Sequence, residues 1–338
     1  MKKSTILITV LFIIFILKIE QGEVQAQAKT PKYFKIDHTL TADLTHNKFS
    51  SAIKPVLRVK SGAVIEVFTE EASDQEFKID SKHADVNTIN ADLIHPISGP
   101  VYVEGAKPGD IITVKLLEIE IGDWGWLGIF PGFGILDEEF TEPYLRTFKL
   151  DDKNRTINFK DRINIKLKPF PGVMGVAPAT EEMLTTIPPR ANGGNMDNPF
   201  LTEGTLVHFP VFVEGGLFSI GDGHAVQGLG EVCGTAIEAP MRIVYRINTH
   251  TPEGKHLMKE PQYENNDYYA VTAFGTTLIE ATKKATRYMV DYLEANYYLS
   301  REEAYLLCSL AGDLHIAEVV DLPNYLVSMH ISKEVLGL

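Results

Sequence analysis

The sequence predicts a mainly β (α+β) fold: an antiparallel β-sandwich or barrel-like body with a helical hairpin near the C-terminus. Three observations predict it. From Tyr33 to about Asn158, Val, Ile and Tyr recur at every second position between Pro/Gly turns, the mark of half-buried antiparallel strands. β-Rich sequence resumes after a Pro-rich stretch and runs to Arg246. Only after Ala273 does the apolar period lengthen to that of a helix.

The elements follow in order. "VLRVKSGAVIEVFTEE" (Val56–Glu71) alternates and is punctuated by Ser61-Gly62. "GPVYVEGAKPGDIITVKLLEIEIG" (Gly99–Gly122) is two β-rich runs joined by the turn Lys107-Pro108-Gly109-Asp110. "GDWGWLGIFPGFG" (Gly122–Gly134) holds both tryptophans. It reads as a Gly/aromatic loop, either packed on the surface or forming the apolar wall of a pocket. Residues 169–190 are rich in Pro and apolar side chains, with a short helix expected near Thr180–Leu184. This stretch is the best place for an internal seam in residues 27–338, which otherwise read as one unit. "TTLIEATKKATRYMVDYLEANY" (Thr276–Tyr297) aligns Leu278, Ala281, Ala285, Tyr288, Met289, Tyr292 and Leu293 on one helix face. Ser300 and Glu303 form a capping box for a second helix, Arg301–Gly312. "DLHIAEVVD" and "NYLVSMHIS" read as closing strands.

The N-terminus is a separate matter. Lys2 and Lys3 precede an apolar run, Ile6–Leu17, and Val24-Gln25-Ala26 resembles a cleavage site. Residues 1–26 therefore read as a secretory signal peptide, cut near Ala26. The run is short for a bilayer span, which needs about 20 residues. The expected location is periplasmic or extracellular, with no stable membrane insertion after cleavage. Losing three lysines and two glutamates takes the net charge from −13 to −14. An acidic surface repels phosphate backbones, so nucleic acid is not an expected partner. The two cysteines, Cys233 and Cys308, make no disulfide framework and read as two buried thiols.

Three stretches concentrate polar groups beside glycines: His95–Asp110, Asn192–Thr205 and "SIGDGHAVQGLGEVCGTA", Ser219–Ala236. In extended chain, residues two apart share a face. That pairs Asp222 with His224 and Glu231 with Cys233, and a turn at Gly228-Leu229-Gly230 would bring the pairs together. Each residue also has an ordinary reading. Asp222 is a common turn residue, His224 suits a satisfied core position, and Cys233 suits a small buried hydrophobe. Glu231 is harder to set aside, because a buried carboxylate needs a partner or a raised pKa. The Asn/Asp/Gly loop around Asp197 suits a solvated turn or oxygen ligation of a cation. His38, His46, His83, His250 and His256 lie in polar context and read as surface. There is no H-E-x-x-H, C-x-x-C, G-x-S-x-G or Walker pattern. Any metal site must be assembled from distant segments.

The wording of five segments carries the reading further. "HPISGPVYVEGAKPGD", "GVMGVAP", "NGGNMDN", "PVFVEGGLFSIGDGHAVQGLGEVCGTAIEAP" and "SREEAYLLCSLAGDLHIAEVVD" together resemble the acetamidase/formamidase family, in order, over roughly Thr45 to Leu336. The resemblance implies a β-rich fold, hydrolysis of short linear amides to a carboxylate and ammonia, a homo-oligomer, and a divalent cation, zinc or calcium. On that basis Asp222, His224, His95 and Asp197 are expected to ligate the metal. Glu231 is expected to serve as general base and acid, with Glu104 as second choice. Asn195 and the backbone amides of Gly193 and Gly194 are expected to hold the oxyanion and substrate. Trp124 and Trp126 are expected to exclude water and limit substrate size. Two rival readings are a Cys233 nucleophile with Glu231 as its base, and a secreted small-molecule-binding protein without turnover.

Overall fold

The computed structural model describes residues 34–252 and 258–338. The expected signal peptide and His256 lie outside the described residues. Lys35–Leu338 pack as one unit. Its principal strands are β1 (Val64–Thr69), β2 (Ile97–Val103), β3 (Ile111–Ile121), β4 (Trp124–Ile129), β5 (Tyr144–Lys149) and β6 (Phe170–Gly175). They continue as β7 (Gly193–Asn195), β8 (Leu206–Pro210), β9 (Phe218–His224), β10 (Met241–His250), β11 (Gln262–Glu264) and β12 (Tyr268–Gly275). Helices α1 (Leu278–Tyr297) and α2 (Arg301–Ala311) follow, then β13 (Gly312–Glu318) and β14 (Tyr325–Ser332).

Two sheets stack to make the body. The larger has nine strands: His38–Leu40, then β1, β10, β3, β8, β11, β12, β14 and β13. The smaller runs β7, β6, β9, β2 and Thr45–His46, with Leu57–Val59 also on β2. Pairing is antiparallel except where His38–Leu40 joins β1 and Leu57–Val59 joins β2. Residues 169–190 thus enter the smaller sheet through β6, between β7 and β9. Ile65, Val67, Val101, Val103, Met174 and Phe218 form part of the core between the sheets.

The sequence pattern accounts for these elements. In β3 the buried apolar positions are Ile112, Val114 and Leu116, then Ile119 and Ile121. The alternation slips by one residue where the register against β10 shifts between Val244 and Tyr245. A β-bulge is the local solution that keeps both halves of the strand facing the core. The turn at Lys107–Asp110 forms as expected, with the Asp110 N–H donating to the Lys107 carbonyl and Gly109 at φ +93°. That φ suits glycine at the third position of a type II turn.

The helical pair lies on one face of the larger sheet. Tyr269, Val271 and Ala273 of β12, with Val327, Met329 and Ile331 of β14, meet Ala281, Ala285, Met289, Leu293, Ala304 and Cys308. Alternation in the strands meets the 3.6-residue period of the helices, so one apolar surface closes over the other. The Ser300–Glu303 capping box is present at the start of α2. No described helix is long and apolar enough to cross a membrane.

Three local expectations differ. Trp124–Ile129 is a strand paired with β5, not a loop. Gly125 fits that strand because a Cβ there would lie 2.6 Å from the Glu238 carbonyl oxygen. Thr180–Leu184 is not helical; Leu184–Thr185 instead bridges to Lys48–Phe49. Cys308 is buried, but Cys233 is only half-buried, and both are free.

His46 is also not a surface residue. Its Nδ1–H donates to the Lys48 carbonyl, and its Nε2 accepts from the Ser219 hydroxyl. Burial pushes its pKa down to about 4, against an unfolded value near 6.5. Between those values the unfolded chain binds the proton and the folded chain does not, so folding loses stability as pH falls. The expected result is that the wild type loses stability relative to a His46→Gln variant as pH falls from 7 to 4. Thermal melts of both proteins across that range check it, and parallel curves would exclude it.

Candidate active site

The site forms where the ends of several segments meet. Asp222 and His224 are the last polar residues of β9, a strand buried along its whole length. Phe170 of β6 pairs with His224 in register. Asp197 follows β7 by two residues. Glu238 arrives from the segment after the glycine-rich turn, bridged to both His224 and Trp126. Glu231 comes from that turn, and Asp321 from just beyond β13. All six are buried. The hairpin expected at Gly228–Gly230 does not form; Gly230 instead bridges to Glu318.

His224 is the hub. Its Nε2 lies 3.1 Å from Glu238 Oε2, 3.3 Å from Asp222 Oδ2 and 3.7 Å from Asp197 Oδ1. Its other nitrogen faces Gln227 Oε1 at 2.8 Å. The Gln227 amide nitrogen donates to the Asp197 carbonyl at 2.7 Å, so the amide oxygen is the atom turned to the ring. Nδ1 must therefore donate to it. This fixes the tautomer and aims the Nε2 position at three carboxylates.

The carboxylates are left short of partners. Asp197 Oδ1, both Asp222 oxygens and Glu238 Oε2 are buried without a hydrogen bond. Among the described residues no lysine or arginine lines the cavity beside them. Buried anions in that state must take up protons or hold a cation. The charge balance shows the strain. Burial opposes ionisation of Asp222, but His95 and His224 outweigh it and hold its pKa at about 2. Burial would lower His224, yet the Glu238 and Asp222 charges raise it well above the ordinary imidazole value. Burial pushes Glu238 up to about 7 against the pull of His224. Burial and then the Asp197 charge raise Glu231 well above the carboxylate range.

Two triads have ligand atoms within 4.8 Å of one another: Asp197, His224 and Glu231, and Asp222, His224 and Glu238. The orphaned oxygens and the single imidazole nitrogen among them suit a divalent cation. Gly172 of β6 makes room for this convergence. A Cβ at that position would lie 2.5 Å from Asp197 Oδ1, 2.6 Å from Asp222 Oδ2 and 2.8 Å from His224 Cε1. Gly172→Ala is expected to spread the cluster and cut activity about a hundredfold or more, since a shift near 1 Å costs that much. Steady-state assay beside a thermal melt checks it; a folded variant of full activity would refute it.

The cavity over the cluster is about 200 Å³. Asp197, Asp222, His224, Glu231, His95 and Asn195 line it, as does Trp126. His95 stands in the wall with its Nδ1 buried and unpartnered. Its backbone N–H donates to Thr186 Oγ1. Asn195 donates through Nδ2 to Asp321 Oδ2 at 2.8 Å, which commits one of its N–H groups away from an oxyanion. Its Oδ1 is buried and unpartnered.

Four expected residues fall elsewhere. Glu104 is exposed in the turn after β2, where the chain leaves the sheet, and cannot reach the cavity. Gly193 and Gly194 pair with β6; the Gly193 N–H donates to the Arg190 carbonyl, and neither glycine lines the cavity. Trp124, two residues from Trp126 on β4 and so on the same face, packs against the cluster around Phe77 and Trp126 but is not part of the cavity lining. Cys233, the rival nucleophile, does not line this cavity either; its Sγ faces the Thr235 carbonyl at 3.5 Å.

Glu238, Asp321 and Gln227 are not among the residues expected from the sequence. Glu238 sits in "AIEAP" and Asp321 ends "EVVD". A carboxylate inside an apolar run was the available signal for each.

Known proteins match this chain along its length. A formamidase of Methylophilus methylotrophus is 25% identical over 86% of this chain and 89% of its own. A solved structure described as a predicted acetamidase/formamidase from Thermoanaerobacter tengcongensis superposes with a TM-score of 0.82 at 31% identity, covering 89% of this chain and 97% of that one. An acetamidase from Bacillus halodurans does so with a TM-score of 0.82 at 27% identity, covering 88% and 98%. Residues 35–185 and 179–337 match the acetamidase/formamidase family. Fold and sequence thus agree, and the chain belongs to the acetamidase/formamidase family.

Proposed function

We propose that the protein hydrolyses short linear amides to a carboxylate and ammonia at the His224 cluster, with a divalent cation held by Asp222, His224, Asp197 and Glu238. Amide hydrolysis is supported by the family and by its members named formamidase and acetamidase. The observation that carries the cation is the set of buried carboxylate oxygens without partners around one imidazole nitrogen. An imidazole among the donors favours zinc, since calcium takes oxygen ligands alone. A divalent cation bound there supplies a water of pKa near 7 and polarises the amide carbonyl.

The chain's own residues do the rest. Water oxygen bonds to the carbonyl carbon and the C–N bond breaks. One water proton must end on the departing nitrogen, which leaves as ammonia. Glu231, buried at the cluster with its pKa raised well above the carboxylate range by burial and then the Asp197 charge, is the group that passes protons between them. Gln227 keeps His224 in orientation through its two amide atoms. Trp126 and its neighbours keep bulk water from the apolar side of the cavity.

The leader-like segment supports export to the periplasm or beyond, with cleavage near Ala26; N-terminal sequencing of the secreted protein tests it. The family resemblance supports a homo-oligomer and a small amide as the partner, and the acidic net charge argues against nucleic acid. The deciding experiment for the function is ammonia release by purified protein from formamide, acetamide and larger amides. Release supports hydrolysis. Binding of amides without release would favour the non-catalytic reading, and loss of release on Cys233→Ser would favour the thiol.

A further inference from the structure

The side of the cavity facing the cluster is apolar. Ala72, Ile94, Trp126, Phe130, Phe133 and Ile187 form it. At about 30 Å³ per water in the liquid, a cavity of about 200 Å³ has room for about six waters. On the same packing, formamide fills the space of about two and benzamide that of about five.

The wall is built rather than incidental. Trp126 is 2% exposed, and its indole N–H donates to Glu71 Oε2. Glu71 itself is fixed by the Ser73 and Gln75 N–H groups and the Ser73 hydroxyl. Phe77 meets the indole edge-on at 4.9 Å, and Phe130 lies at 6.0 Å from it. Phe133 rests over Gly234, where a Cβ would come within 2.4 Å of its ring. A wall held this way cannot collapse onto a substrate of three heavy atoms.

We propose that this wall selects amides with a bulky apolar acyl group, aromatic or branched, over formamide and acetamide. The inference rests on amide hydrolysis at the His224 cluster. The cluster holds the CONH2 end common to all such amides, so the wall meets only the acyl group. Each methylene that fills a fitting pocket changes kcat/KM about tenfold or more. The order expected is benzamide, isobutyramide, acetamide, formamide, with benzamide about a hundredfold or more above formamide.

The test measures kcat/KM for these four amides and benzamide binding by calorimetry, in wild type, Phe130→Ala and Phe133→Ala. Both phenylalanines are only partly buried, so two independent variants guard against loss of fold. The expected result is a benzamide-to-formamide ratio that falls about tenfold or more in each folded variant. Turnover of all four amides with formamide or acetamide best, or an unchanged ratio in both variants, would overturn the selection while leaving hydrolysis intact. Absence of all turnover would overturn hydrolysis. In that event failure of benzamide to bind more tightly than formamide would overturn the selection as well.

Discussion

His224→Ala and Asp222→Ala are each expected to lower kcat/KM about a thousandfold or more and to strip the protein of its cation. A thousandfold is about 4 kcal/mol of transition-state stabilisation. The size follows from position. His224 Nε2 is the one nitrogen among Glu238, Asp222 and Asp197, so its loss leaves three buried carboxylates repelling one another. Asp222 contributes two oxygens that have no other hydrogen-bond partner. Kinetics and metal analysis on the same samples separate the possibilities. Full metal content in both variants would remove them from the ligand set.

The second large effect is expected at Glu231. Glu231→Gln keeps the shape but loses the proton-transfer group, so kcat is expected to fall about a hundred- to ten-thousandfold while cation content stays at the wild-type level. Burial and the Asp197 charge raise its pKa well above the carboxylate range, as suits a group that passes protons near neutrality. Glu231 also has an oxygen within reach of a triad with Asp197 and His224. Loss of the cation along with activity would therefore make it a ligand and move the proton transfer elsewhere. Unchanged kcat would exclude both roles.

How much of this was legible in the sequence depends on how local the cause is. The helical hairpin is legible because a 3.6-residue period and a capping box at Ser300–Glu303 act within one turn. The Asp222–His224 pair is legible because residues two apart on a strand share a face, and their side chains do meet, at 3.3 Å. The place of Glu238 in the site was not legible. It joins the site only because its backbone bridges Trp126 on one side and His224 on the other, and no local pattern encodes that pairing. Asp321 is further away still, reaching Asn195 across 126 positions of sequence. Conversely, Glu104 and the Gly193-Gly194 pair looked functional because of glycine-rich context. The glycine pair sits in strand pairing with β6, and the glutamate is exposed in the turn after β2.

Glycine misled in one direction and informed in another. Gly122–Gly134 read as a loop, yet its first half is a strand whose Gly125 lets the Glu238 backbone approach. That strand carries Trp126 to the cavity wall. The acidic stretch "FTEEASD" gave no hint that Glu71 would hold the indole in place, because the contact joins residues 55 positions apart.

Amide hydrolysis at the His224 cluster is proposed to require a divalent cation there. The most direct measurement is ammonia release from acetamide and benzamide by purified protein before chelation, after chelation with metal content verified by elemental analysis, and after adding back zinc. The expected result is loss of activity in the metal-free protein and recovery with about one zinc per cluster. Full activity in verified metal-free protein would contradict it.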